Sequence, residues 1–296
     1  MGLHRAIRWR WLTLGAVCLV GGAPPSASAI TLGQADDAGG SSCVPGYDWV
    51  QRAVAAGDPY TVPSTGGVTS WRVTSWTTSG GPVQRQLTLK FFRPVDVQPD
   101  FYRAVAHDGP RAISVGGTTG NLFSVSLLVK AGDVLGFQTG PPSGSECAIS
   151  TSNVGDTYGA LLGDLQDGQA NGPFGETSGY RLNIRATLIP DNGFSLSGIA
   201  RNKRRGTATL AFDLPNPGQL TGSGKGAKVR VASVPSAGTI TIPNASASQL
   251  LVKAKGKKKR KLNETGKVKL SIAVTYTPTG GDPRTQSLKV KLKKKI

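Results

Sequence analysis

Residues 267–276 read KVKLSIAVTY, and this alternation decides the fold class. Val268, Leu270, Ile272, Val274 and Tyr276 fall on one side of an extended chain, with lysines and hydroxyls between them. A period of two sustained this long marks a strand with one buried face. Residues 278–282 (PTGGD) then turn the chain, and residues 287–292 return with Leu288, Val290 and Leu292 inward.

Working outward, residues 207–214 repeat the pattern, burying Ala208, Leu210, Phe212 and Leu214. Residues 194–200, 219–222, 228–234, 238–242 and 249–255 supply further strands. That makes seven or eight strands, a number and span that fit an immunoglobulin-like or fibronectin-III-like sandwich of about 100 residues. Residues 180–188 place Tyr180, Leu182, Ile184, Ala186 and Leu188 on one face and Arg181, Asn183, Arg185 and Thr187 on the other. Residues 121–129 turn Phe123, Val125, Leu127 and Val129 inward. Residues 86–92 bury Leu87, Leu89 and Phe91 while Thr88 and Lys90 face out. Residues 68–76, 101–106, 112–115 and 133–139 add candidates between Gly- and Pro-containing turns. The exception is 47–56 (YDWVQRAVAA), which reads as one short helix ending at Gly57. The expectation is an all-β chain of two antiparallel sandwiches: a jelly-roll-like one over residues 30–190 and a basic immunoglobulin-like one over 191–296. The boundary is expected at 189–193 (IPDNG), where Pro and Asn-Gly break the strand.

Charge divides the chain in the same way. Residues 193–296 carry 22 Lys and Arg against three acids (Asp213, Glu264, Asp282), a net of +19. Residues 30–192 carry 10 against 14, a net of −4, and Arg5, Arg8 and Arg10 complete the overall +18. Only the second module is suited to meet polyanions.

The first 29 residues read as a secretory signal peptide. A basic start precedes the apolar run 11–22 (WLTLGAVCLVGG), and Ala27–Ser28–Ala29 offers a cleavage site before Ile30. The run is shorter than the roughly 20 residues a membrane span needs. Val17 stands where a lipid-attachment site at Cys18 would have Gly or Ala. Cleavage leaves Cys43 and Cys147, expected as a disulfide in a secreted chain. The bridge would close a loop of about 100 residues, for which chain entropy gives about 4–5 kcal/mol.

Two resemblances add to this reading. Residues 129–137 (VKAGDVLGF) resemble the hairpin before a core strand in jelly rolls and tumour-necrosis-factor-like sandwiches. Residues 202–210 (NKRRGTATL), 251–262 (LVKAKGKKKRKL), 265–282 and 289–295 (KVKLKKK) resemble the lysine-rich C-terminal β-sandwich modules of secreted high-GC actinobacterial proteins. The second resemblance spans roughly residues 194–296. It implies fold and location rather than activity, and carries no catalytic residues.

Motifs for chemistry are sparse. His107 is the one histidine beyond the signal, which removes multi-His metal sites, and it stands in a turn-like His-Asp-Gly-Pro. No GxSxG occurs, so a Ser–His–Asp hydrolase lacks its anchor. Gly222–Lys225 fails the phosphate-loop pattern, since Gln219 stands where the first Gly belongs. Asp36, Asp37, Asp164 and Asp167 could offer oxygens to calcium, but their spacing fits no EF-hand, and solvated loop acids are expected. No cofactor or metal is expected. Trp76 is the best candidate for an exposed sugar-contacting aromatic, with Trp71 buried.

The remaining candidates are cations. Lys253, Lys255, Lys257, Lys258, Lys259, Arg260 and Lys261 fill seven of nine positions in an expected hairpin loop, and Lys289, Lys291 and Lys293 line the last strand outward. Such lysines solvate faces and protect sheet edges, and equally could dock anionic cell-wall polymer or acidic polysaccharide. No aromatic interleaves them, so specific nucleic-acid binding is not expected. These features suggest a secreted, extracellular, non-enzymatic surface-binding or structural protein. The rival is a polysaccharide-active enzyme or carbohydrate-binding module in the first sandwich, which would need paired carboxylates in a cleft or exposed aromatics on a face.

Overall fold

The computed structural model describes residues 28–35, 40–41, 44–74, 85–113, 121–140, 149–151, 154–231, 239–242 and 248–296. Among them the fold is all-β with one helix. The first sandwich contains β1 (Ile30–Gly33), β2 (Gly40–Ser41), β3 (Tyr47–Ala53), β4 (Gly66–Val73), β5 (Arg85–Pro94), β6 (Tyr102–Ile113) and β7 (Asn121–Val129). It continues with β8 (Val134–Thr139), β9 (Ile149–Thr151), β10 (Thr157–Leu162), β11 (Ala170–Asn171), β12 (Gly175–Ser178), β13 (Tyr180–Leu182) and β14 (Ile184–Pro190). The second contains β15 (Ser195–Asn202), β16 (Thr207–Asp213), β17 (Gly218–Ser223), β18 (Ala227–Val231), β19 (Thr239–Ile242), β20 (Ser248–Ala254), α1 (Gly256–Thr265), β21 (Lys267–Pro278) and β22 (Arg284–Lys293).

In the first sandwich a four-stranded antiparallel sheet, order β1-β14-β4-β7, packs on a seven-stranded one, order β11-β6-β5-β8-β3-β10-β12. Leu89, Phe137 and Trp49 align across β5, β8 and β3 on the inner face. The outer face of the larger sheet is also covered. β11 pairs with β6 at one edge and β12 pairs with β10 at the other, so the connecting chain crosses that face. Along this strap Phe174 stacks edge-on against Phe92 and Tyr102, with ring centroids 5.8 and 5.1 Å apart. A strand buried on both faces has no polar side, and every residue of β8 is buried.

Double coverage corrects several expectations. Residues 47–56 form no helix: β3 is a central strand between β8 and β10, its apolar residues serving both faces. Thr88 and Lys90 point outward from the sandwich as expected but are buried rather than solvated, Lys90 beneath the strap at Asp164 and Leu165. The strand expected over 180–188 divides at the buried Asn183, with β13 pairing β9 and β14 pairing β1 and β4. Arg181 is buried against Asp156. His107 lies within β6, opposite Lys90, and not in a turn. Finally, 129–137 is a corner and not a hairpin, because β7 pairs β4 in one sheet and β8 joins the other. Asp133 fixes that corner, accepting from Lys130 N at 2.8 Å and Arg93 Nε at 2.7 Å.

The second sandwich packs two four-stranded antiparallel sheets, β15-β16-β20-β18 and β19-β17-β21-β22. Its core takes Ala208, Leu210, Phe212 and Leu214 from β16 and its end, and Val268, Leu270, Ile272, Val274 and Tyr276 from β21, as the alternation dictates. The buried Asn216 of the second sandwich bonds to the first. Its Nδ2 donates 2.8 Å bonds to the carbonyls of Thr65 and Asp191, and its Oδ1 accepts from Thr65 N at 2.6 Å. Tyr276 OH donates to the Asn216 carbonyl at 2.7 Å, and burial pushes the Tyr276 phenol up to about 12.

Candidate anion-binding face

The lysine-rich stretch is a helix and not a hairpin loop. α1 carries the chain from β20 in one sheet to β21 in the other. Lys, Arg, Leu and Glu are good helix formers, but ten residues are marginal alone, so tertiary anchoring decides. Leu262 is the anchor, the buried residue of α1, packed beside Gly206. A Cβ on Gly206 would lie 3.0 Å from Leu262 Cδ2, and its φ of +67° favours glycine, so this turn closes tightly on the helix. Gly266, at φ 64°, ends the helix in the left-handed conformation.

The helix breaks electrostatic preferences. Its first turn contains no acid and its N-terminus no side-chain cap, while Lys257, Lys258 and Lys259 stand there against the dipole. Lys257 and Lys261 are like charges four apart, which destabilises an isolated helix. On the sheet beside it, Lys267 lies opposite Lys293 and Lys269 opposite Lys291. Like charges directly across a ladder also destabilise.

These cations converge on two grooves flanking α1. One, of about 520 Å³, is lined by Arg205, Lys228, Lys253, Lys255, Lys259 and Lys294, together with Leu262, Asn263 and the start of the helix. The other, of about 290 Å³, is lined by Lys258, Lys261, Lys267, Lys269, Lys291 and Val268. Neither lining contains an acid. Among the described residues, every ion pair lies in the first sandwich. Lys294 Nζ has a neutral partner, donating to Asn263 Oδ1 at 2.8 Å.

Of the cations singled out from the sequence, Lys253, Lys255 and Lys259 enter the larger groove and Lys258, Lys261 and Lys291 the smaller. Lys257, Arg260, Lys289 and Lys293 are exposed nearby without lining either. Sequence reading missed Arg205, Lys228 and Lys294, which come from distant strand ends. Lys267 and Lys269 were detectable as the outward positions of the 267–276 alternation. Trp76, Cys43, Cys147 and residues 1–27 lie outside the described residues, as do Asp36 and Asp37. Two acids expected as solvated loop residues have partners: Asp164 accepts from Lys90 Nζ at 2.5 Å, and Asp167 stands 3.0 Å from His107 Nδ1.

A cleft of about 860 Å³ opens beside β4, β6 and the end of β14. Its lining has Arg93, Arg103 and Lys130 against a single carboxylate, Asp191. No family model matches this chain, and no curated protein resembles it at a significant level.

Proposed function

We propose that this is a secreted, non-enzymatic, surface-associated protein whose second sandwich docks on an anionic envelope polymer such as cell-wall polymer or acidic polysaccharide. One observation carries the reading: two adjoining grooves lined by eleven cations and no acid, with no internal ion pair among the described residues of that sandwich. Solubility alone does not call for like charges opposed across a ladder or stacked at a helix N-terminus, where they destabilise the fold. A bound polyanion relieves both. Lysines two apart on a strand repeat at about 6.7 Å, so a chain of repeated charges engages them better than one small anion. The likeness to lysine-rich accessory modules of secreted proteins supports the location.

The test is binding of the full chain to immobilised anionic cell-wall polymer and to heparin over a salt series. Affinity should fall linearly in the logarithm of salt as counterions are displaced. It should vanish by 1 M salt, where the screening length is about 3 Å. Salt-independent binding, or none at low salt, overturns the reading.

A further inference from the structure

Lys90 on β5 and Asp48 on β3 stand on either side of β8, and their side chains meet over it beneath the strap. Lys90 Nζ donates to Asp48 Oδ1 at 2.7 Å, to Asp164 Oδ1 at 2.5 Å and to the Leu165 carbonyl at 2.8 Å. Asp48 Oδ2 accepts from Leu165 N at 2.7 Å. The Lys90 and Asp48 side chains are 3% and 0% exposed, while Asp164 is 53% exposed. A primary amine and a carboxyl group are thus held in contact in a dry site, with a solvent-reaching carboxylate touching the amine.

A charged pair is costly in such a place. Burial pushes the Asp48 carboxyl above its ordinary range, against the opposing hydrogen bond and charge of Lys90. Transfer of one proton from Nζ to Oδ1 leaves a neutral amine beside a neutral carboxylic acid. These are a nucleophile and an electrophile already in position, and such pre-positioning supplies much of the barrier lowering in intramolecular reactions.

We propose that Lys90 and Asp48 condense into an amide cross-link joining β3 to β5 across β8, with Asp164 carrying the proton. Nζ attacks the Asp48 carboxyl carbon, and the Nζ–Cγ bond forms. Leu165 N–H holds Oδ2 as negative charge develops there. Asp164 takes a second proton from nitrogen and delivers it to Oδ1. The Cγ–Oδ1 bond breaks, and Oδ1 leaves as water. The third proton stays on the amide nitrogen. The product keeps the partners of the reactants: its N–H faces the Leu165 carbonyl and its C=O the Leu165 N–H. The other ion pairs with a fully buried carboxylate, Arg181–Asp156 and Arg93–Asp133, cannot follow this route, because they offer guanidinium groups. The cross-link is independent of polymer docking.

Intact-mass spectrometry of the full chain, denatured and with cysteines reduced, tests it. The folded wild-type protein should be lighter than its sequence by one water. A digest should join the peptide containing Asp48 to the one containing Lys90. Lys90→Met and Asp48→Ala should restore the full mass, but either could fail to fold by leaving a buried group unpaired. Asp164→Ala, a change at a half-exposed site, should fold and show the full mass. A folded wild-type chain at full mass overturns the proposal, as does a water loss mapped to other residues. An Asp164→Ala chain still one water lighter removes Asp164 from the mechanism.

Discussion

Arg181 and Asp156 in the first sandwich are 7% and 0% exposed, joined by two 2.8 Å hydrogen bonds. Lys269 and Lys291 in the second sandwich are both exposed, directly opposite each other, with no acid between them. The first sandwich uses charge as internal bracing. Asp156 ties β13 to the turn before β10, Asp133 ties β5 to the corner after β7, and Lys90 ties β5 to β3 and the strap. The second needs no such bracing, because strict alternation closes its core and every charge is left for the surface. Charge in one region therefore specifies geometry, and in the other it is available to a partner.

The largest effect that could break this contrast is expected at Asp156. Asp156→Ala leaves the buried Arg181 without its counter-charge, with Gln34 Oε1 as a neutral partner at 2.8 Å, and removes the acceptor of the Ala55 amide, which donates to Asp156 at 2.6 Å. Loss of one partner from a buried pair costs about 3–5 kcal/mol, which denaturant unfolding should read. Lys269→Ala should move stability by no more than about 0.5 kcal/mol. Equal effects at the two sites would end the comparison.

Next comes the junction. Asn216→Ala removes three hydrogen bonds at a fully buried position and leaves the Thr65 amide unpaired, for about 1–3 kcal/mol. Calorimetry should then show two separated unfolding transitions. One unsplit transition would mean that the remaining contacts, Ser64 Oγ to the Thr279 carbonyl, Asn192 Nδ2 to the Asp282 carbonyl and Ser28 to Asp282, are enough to couple the sandwiches.

Changing Lys257, Lys258, Lys259 and Arg260 together to Ser should shift stability by at most about 0.5 kcal/mol per site. Polymer affinity should drop and the salt dependence flatten. Unfolding of the variant would show that these cations brace the fold after all.

The smallest effect concerns acid. Burial would raise the Asp108 carboxyl, but hydrogen bonds from Arg111 and Trp71 Nε1 outweigh it and hold the group below its ordinary 3.8. A carboxylate depressed in the folded state contributes stability above its unfolded value and loses it as pH falls through the folded one. Stability of the first sandwich should therefore decline as pH drops below 3.8, and Asp108→Asn should flatten that decline. An unchanged acid profile in the variant would assign the loss to other carboxylates.

Legibility followed the same division. In the second sandwich the alternation of 207–214 and 267–276 named the buried residues correctly, because each strand there has one face in water. In the first, the same rule put Lys90, Thr88 and Arg181 on the correct side of their strands and still misjudged their surroundings. Whether an outward face is wet depends on chain that packs over it from elsewhere: Asp164 and Leu165 of the strap over Lys90, and Asp156 and Gln34 over Arg181. Residues 47–56 misled for the same reason: a strand buried on both faces mixes polar and apolar positions without period two. In the lysine-rich run, charge density masked Leu262, the one position that turns a solvated loop into a docked helix.

By itself, then, the sequence determined the all-β class, the inward residues of the one-sided strands and the concentration of positive charge in residues 193–296. These follow from period and composition, which are local properties of the chain. Only the tertiary structure decided that Lys90 meets Asp48 and Asp164, and that Arg205, Lys228 and Lys294 join the lysines around α1. Such meetings come from long-range strand pairing. Hydrogen bonds across a sheet bring together residues that no local pattern relates.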